Sequence, residues 1–155
     1  MSGLFTLIVA ALAATATARA DVYVMRHLDT PASERDPDLL PRGRQAAEAL
    51  ATRFGDAPPA AIFITDFRRT RQTVAPLAAR LGLTPIIYDA MDVRALVARV
   101  RAVGAPVLIV GHSNTVGGII TALGGESPGE LGHDAFGDIW RVAPDGTTTR
   151  LRIGE

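Results

Sequence analysis

Three short segments hold the residues that could do chemistry. Arg26 and His27 stand in MRHLDT, Thr65, Asp66 and Arg69 in FITDFRRTRQT, and Gly111, His112, Ser113 and Asn114 in VGHSNTV. A neutral imidazole can act as nucleophile on a phosphoryl group. Guanidinium forks match phosphate oxygens bidentately and stabilise the charge spread over a transferring group. Two histidines with two arginines therefore suit phosphoryl chemistry. A zinc reading would need three or four ligands, recruiting His133 as a third histidine together with an aspartate. Arg26 beside His27, with Arg69 nearby, makes such a pocket hostile to a cation, so an anion is preferred and no metal is expected. A Ser-His-Asp hydrolase would want its serine within a G-x-S-x-G elbow, which GHSNT fails at the second glycine. The chain has no cysteine, hence no thiolate nucleophile, disulfide framework or cysteine metal site. His133, in the Gly-rich GELGHDAFGD, reads as an exposed loop residue.

The elements that must position these residues alternate along the chain. Val22–Met25 is a strand candidate, and Leu28–Leu40 is a polar, proline-bearing loop. Pro41–Phe54 places Ala46, Ala47, Leu50 and Phe54 at helical spacing. Ala61–Ile64 is a second strand, followed by a helix from about Phe67 to Leu81 that Thr65 or Asp66 could cap. Pro85–Tyr88 is a third strand. Asp92 can cap a helix over Val93–Val103, and VLIV (Val107–Val110) is an apolar run of the doubly buried kind. A helix from about Thr115 to Leu123 follows, and DIWRV and TTTRLRI form a hairpin around Asp145-Gly146. Repeated βα units imply an α/β three-layer sandwich, a mostly parallel sheet with helices on both faces and an added antiparallel edge. Ligands of such sheets bind beyond the carboxyl ends of the strands, where Arg26, His27, Arg69 and His112 fall.

The first twenty residues, MSGLFTLIVAALAATATARA, hold no acid and one base, Arg19. Their apolar run is short for a bilayer span, which needs ~20 residues. It ends in Ala18-Arg19-Ala20, so residues 1–20 read as a signal peptide cleaved between Ala20 and Asp21, with residues 21–155 as one domain. An uncleaved anchor or an ordinary first helix are the alternatives. Cleavage implies a periplasmic or secreted protein without stable membrane association. It removes one of sixteen basic residues and none of sixteen acidic ones, a net charge near −1 with no basic field for nucleic acid. All sixteen basic residues are arginine, for which GC-rich coding is explanation enough. Oligomeric state is left open.

The ordered motifs resemble the histidine phosphatase superfamily, the phosphoglycerate mutase-like group. MRHLDT is similar to its RHG signature and FITDFRRTRQT to the segment carrying its second arginine, with Gln72 and Thr73. VGHSNTV is similar to its second histidine motif, and DPDLLPRGRQAAEAL to its D-P-x-L-x-x-x-G-x-x-Q-A segment through Leu39 and Gly43, with Gln45 one residue ahead of the motif's glutamine. The resemblance implies attack by His27 on phosphorus to form phosphohistidine, with Arg26, Arg69 and His112 holding the phosphoryl oxygens and water releasing phosphate. No cofactor is implied. Positioning and electrostatics would supply most of the catalysis.

Departures from that pattern set further expectations. Leu28 replaces the usual glycine, which makes the loop beside the phosphate bulkier, and Leu40 stands where threonine is common. Many members carry a glutamate as general acid, but between Arg69 and His112 this chain offers only Asp89 and Asp92. Asp89 and Asp29 are the candidate acids, while Asp92 reads as a cap and Asp138 as pocket-orienting or strand-end. Thr30, Ser113 and Asn114 are candidate phosphate donors, although the GHSN turn could instead cap the next helix. Short connections leave little lid material. The expected function is a phosphatase for a phosphorylated small molecule or phosphoprotein rather than a mutase; the alternatives are a phosphohistidine phosphatase or a catalytically weakened anion-binding module.

Overall fold

The computed structural model describes residues 19–32 and 35–154, so all of the expected signal peptide but Arg19 and Ala20 lies outside the described residues. The elements are β1 (Val22–Arg26), α1 (Pro41–Arg53), β2 (Ala61–Ile64), α2 (Arg68–Leu81), β3 (Ile86–Ile87), α3 (Val93–Val103), β4 (Val107–Gly111), α4 (Val116–Ala122), β5 (Asp138–Val142) and β6 (Thr148–Arg152). One six-stranded sheet runs in the order β3-β2-β4-β1-β5-β6. The β1–β4, β2–β4 and β2–β3 pairs are parallel, while β5 and β6 add the antiparallel edge.

VLIV reads as a continuous apolar run because β4 lies between β1 and β2 and is covered on both faces. Successive side chains of a strand point to opposite faces. Val107 and Ile109 therefore pack with Leu96, Val100, Ile119 and Ile120 of α3 and α4, and Leu108 and Val110 with Leu50, Val74 and Leu77 of α1 and α2. The sequence-derived three-layer α/β architecture is the observed one.

Local differences have physical reasons. β1 and β4 each run one residue past the expected end, because Arg26 still pairs with Gly111. β3 shrinks to two residues. Beyond it Tyr88 turns inward, its N–H donating to the Ile64 carbonyl at 2.9 Å and its hydroxyl to that of Val110 at 3.3 Å. Neither Thr65 nor Asp66 caps α2. The helix starts at Arg68, whose N–H donates to the Asp36 carboxylate at 3.0 Å, while Asp66 pairs with Arg71. The cap is thus supplied from the loop between β1 and α1. Asp92 does cap α3, accepting from the Ala95 N–H at 2.9 Å. α1 has no side-chain cap at Leu40, and Pro41 opens its first turn instead.

Leu28 does not make the loop after His27 bulkier. Its side chain is fully buried with Leu39, Leu50 and Leu77, so the residue that departs from the resembled motif points into the core. Gly43 has a strict steric reason. A Cβ there would lie 2.6 Å from the Asp29 carbonyl oxygen, in the loop that follows His27. Gly43→Ala is therefore expected to cost about 1–3 kcal/mol, read as a lower urea midpoint. Gly118→Ala in α4, where a Cβ meets nothing within 4 Å, is expected to be neutral or stabilising in the same melt.

Candidate active site

Adjacent parallel strands end side by side, and β1 and β4 deliver the two histidines this way. The His27 N–H donates to the Gly111 carbonyl at 2.9 Å, and the two rings lie 5.4 Å apart, edge to face at 61°. Gly111 is needed at this point: a Cβ would sit 2.8 Å from Thr115 Oγ1 and 3.0 Å from the Tyr88 hydroxyl. Thr115 uses that closeness, accepting the His112 N–H at 2.9 Å.

His27 is 5% exposed. Its Nδ1 lies 2.8 Å from its neighbour's carbonyl, Leu28 O. A carbonyl only accepts, so Nδ1 carries the proton and Nε2 keeps its lone pair. Burial above all lowers the His27 pKa from 6.5 to about 3; the Leu28 carbonyl opposes the shift, and the nearby His112, Arg26 and Arg69 deepen it. The backbone behind it is fixed by the RQT of the second motif. Thr73 Oγ1 accepts the Leu28 N–H at 3.0 Å and donates to the Arg69 carbonyl at 2.7 Å. Gln72 accepts the Leu39 N–H at 2.8 Å and donates to Asp38 at 2.6 Å, closing the far end of the same loop.

Arg69 lies beside His112, with Nη2 3.3 Å from the ring's Nδ1, and its guanidinium stacks 4.3 Å above the Phe67 ring. On the other side of His112, Nε2 is 2.8 Å from Thr65 Oγ1. Burial is the main cause that lowers the His112 pKa to about 4, with Arg69 and Arg26 adding and Asp36 opposing. Both imidazoles are therefore neutral near pH 7.

Arg26 is held by the Gly-rich loop that carries His133. Its Nη1 donates to the carbonyls of Gly132, His133 and Ala135 at 3.0, 3.1 and 3.3 Å, and its guanidinium stacks 4.0 Å from the Phe136 ring centre. Its buried Nε has no hydrogen-bond partner among the described residues. A buried donor without a partner is costly, and here it belongs to a guanidinium lining a cleft. That cleft, about 200 Å³, is lined by Arg26, His27, Thr30, Pro31, Ala32, Arg35, Pro37, Arg42, Arg69, His133, Asp134 and Phe136. Four arginines and a neutral histidine suit an anion with several oxygens.

Of the other sequence candidates, Thr30 lines this cleft, and Ser113 lines an adjoining hollow with Arg26 and His133. Asn114 is exposed on the turn before α4, whose first residue is preceded by Thr115 rather than by a capping Ser113 or Asn114. Asp29 is ion-paired with Arg42 at 2.5 Å and does not itself line the cleft. Asp89 is exposed beyond edge strand β3, which β2 and β4 separate from β1, and there it accepts the Met91 N–H at 2.9 Å. Asp138 pairs with Arg150 and Arg152 of β6. Asp134 is the one carboxylate among the described residues that line the cleft, and sequence reasoning passed over it together with Phe136, Arg35 and Arg42. Position before β5 in the GHDAFGD loop was the signal available for Asp134 and Phe136. His133 is exposed as expected, although it borders the site. Among the described residues no group of three or more histidine and acidic side chains gathers to hold a metal ion.

Residues 22–92, which include Arg26, His27 and Arg69, match the model of the histidine phosphatase superfamily (branch 1). No curated protein matches the chain in sequence. In fold the chain is similar to the protein histidine phosphatase SixA solved with tungstate, at TM-score 0.64 and 21% identity over 84% of this chain and 94% of that one. It is also similar to a mycobacterial glucosyl-3-phosphoglycerate phosphatase solved with inorganic phosphate, at 0.60 and 18% over 85% and 94%. A phosphoserine phosphatase from Entamoeba histolytica, solved with 3-phosphoglyceric acid, aligns at 0.65 and 13% over 88% and 98%.

The low pKa of both histidines links the site to stability. Unfolded histidines take up protons near pH 6.5, whereas folded His27 and His112 resist until about 3 and 4. Between those limits the unfolded state binds more protons, so stability is fully present above about pH 6.5 and is lost as pH falls. In chloride buffer free of phosphate, the thermal midpoint is expected to drop from pH 7 to pH 4, and less steeply in His27→Asn. Parallel profiles for the two proteins would contradict the assignment.

Proposed function

We infer that this chain, which has the histidine phosphatase fold and that superfamily's sequence pattern over residues 22–92, is a metal-independent phosphomonoester phosphatase. The observation that carries the reading is His27 itself. It is a buried, neutral ring whose Nδ1 is committed to the Leu28 carbonyl, leaving Nε2 to a cleft walled by Arg26 and Arg69. In the first step Nε2 attacks phosphorus, the bond from phosphorus to the leaving oxygen breaks, and that oxygen takes a proton. In the second, water attacks phosphorus, the P–N bond breaks, and phosphate leaves with neutral His27 restored. Arg26, Arg69 and His112 hold the phosphoryl oxygens, with Thr30 and Ser113 at the margins, and no step calls on a metal.

Asp134 is the proton donor we assign to the leaving group, in place of Asp29 and Asp89. It reaches the cleft, and among the described residues its carboxylate has no hydrogen bond or ion pair. The nitrogen leaving group of a phosphoramidate depends less on a strong acid, so a protein-borne phosphohistidine is the second reading, and the likeness to SixA supports it. Export with cleavage ahead of Asp21 remains part of the proposal, tested by the mass of protein recovered outside the cytoplasm.

The test is hydrolysis of an aryl phosphate in EDTA by wild type and His27→Ala. Wild type is expected to turn over and His27→Ala to fall to background. Equal rates would sink the enzyme, and phosphate binding without turnover would leave an anion-binding module; activity lost in EDTA would instead restore the zinc reading. Asp134→Asn is expected to slow an alkyl phosphate by about 10²-fold or more, within the usual worth of general acid catalysis. An aryl phosphate, whose leaving group needs little protonation, is expected to change far less.

A further inference from the structure

His112 lies between a group that only donates and a group that can do either. Arg69 Nη2 stands 3.3 Å from its Nδ1, and guanidinium has no acceptor, so Nδ1 is unprotonated in this arrangement. The ring proton is then on Nε2, donated to Thr65 Oγ1 at 2.8 Å. Thr65 is 2% exposed, and its hydroxyl has an onward acceptor in Thr70 Oγ1 at 3.5 Å. The Thr70 hydroxyl itself donates to the backbone carbonyls of Thr65 and Phe67, at 2.7 and 2.9 Å.

A bound phosphoryl group reverses the demand on this ring. Its oxygens accept, so they draw the Arg69 N–H groups and require a donor from His112. Nδ1 can donate only with a proton on it, and a neutral ring must then accept at Nε2. A hydroxyl meets both states by rotating, accepting from Nε2–H in one and donating to the Nε2 lone pair in the other. Among the described residues, the other charged or titratable groups near the ring are Arg26 and His27 at the end of β1 and Asp36 in the loop before α1, and none of them hydrogen-bonds Nε2.

Resting on the phosphatase reading, we propose that Thr65 is a positioning residue that lets His112 exchange tautomers when the phosphoryl group arrives. One proton leaves Nε2 for water and one enters Nδ1 from water, so the ring stays neutral and no charge accumulates. Thr65 touches no substrate atom in this account. It acts through His112 alone.

Full-length Thr65→Ser and Thr65→Val, checked for wild-type thermal midpoints, separate this role from packing. With an aryl phosphate, Thr65→Ser is expected to stay within about 3-fold of wild type, while Thr65→Val loses about 10- to 30-fold in kcat/KM, the worth of a hydrogen bond. The second readout needs no turnover: ¹⁵N-histidine spectra with and without inorganic phosphate. In wild type and Thr65→Ser the protonated nitrogen of His112 is expected to move from Nε2 to Nδ1 on adding phosphate, and in Thr65→Val the exchange fails. A wild-type protein without turnover but with this exchange would end the phosphatase reading and keep the role of Thr65. Thr65→Val exchanging as wild type does, or Thr65→Ser losing as much activity as Thr65→Val, would overturn it.

Discussion

The His27 N–H donates to the Gly111 carbonyl at 2.9 Å, the last bond between β1 and β4 before both chains leave the sheet. Paired parallel strands lie about 4.8 Å apart, so the residues that follow the ladder emerge as neighbours, whatever loops they lead to. Here those residues are His27 and His112, with Arg26 paired opposite Gly111. Everything else at the site adjusts to that fixed spacing. Thr73 ties the backbone after His27 to α2, Thr115 ties His112 to the turn before α4, and Gly111 keeps the space between them clear.

Placing two arginines beside two histidines is electrostatically unfavourable unless the imidazoles stay neutral. Burial and the guanidinium charges act in the same direction on both rings, so neutrality follows from the placement. Each arginine is steadied without being neutralised outright. Arg26 donates to backbone carbonyls and lies on Phe136, while Arg69 lies on Phe67 with the Asp36 carboxylate 3.4 Å away. Carbonyls and ring faces orient a guanidinium while leaving its net charge in place, so the cleft keeps its positive character.

Much of this was legible in the sequence, because short-range physics writes it there. Period-two and period-3.6 patterns gave the strands and helices, and strand-end position alone put Arg26, His27, Arg69 and His112 on one sheet edge. What escaped depends on long-range contacts. The cap of α2 is Asp36, thirty-two residues from the N–H it accepts, where local reasoning chose Thr65 or Asp66. Leu28 looked like an obstruction because its direction, into the core, is set by the loop's tether to Thr73. The 132–136 loop carried no periodicity, and its hold on Arg26 spans more than a hundred residues. Asp29 fits the histidine motif by position, yet α1 brings Arg42 against it.

The central claim is that phosphorus is transferred to Nε2 of His27. Wild-type protein mixed with an aryl phosphate, quenched in base within the first turnover and mapped by mass spectrometry, reports it directly, because phosphohistidine survives base. The account requires an acid-labile phosphoryl group on the peptide containing His27, absent from His27→Ala. Turnover with no phosphoryl group on that peptide, or with one on another residue, would contradict it.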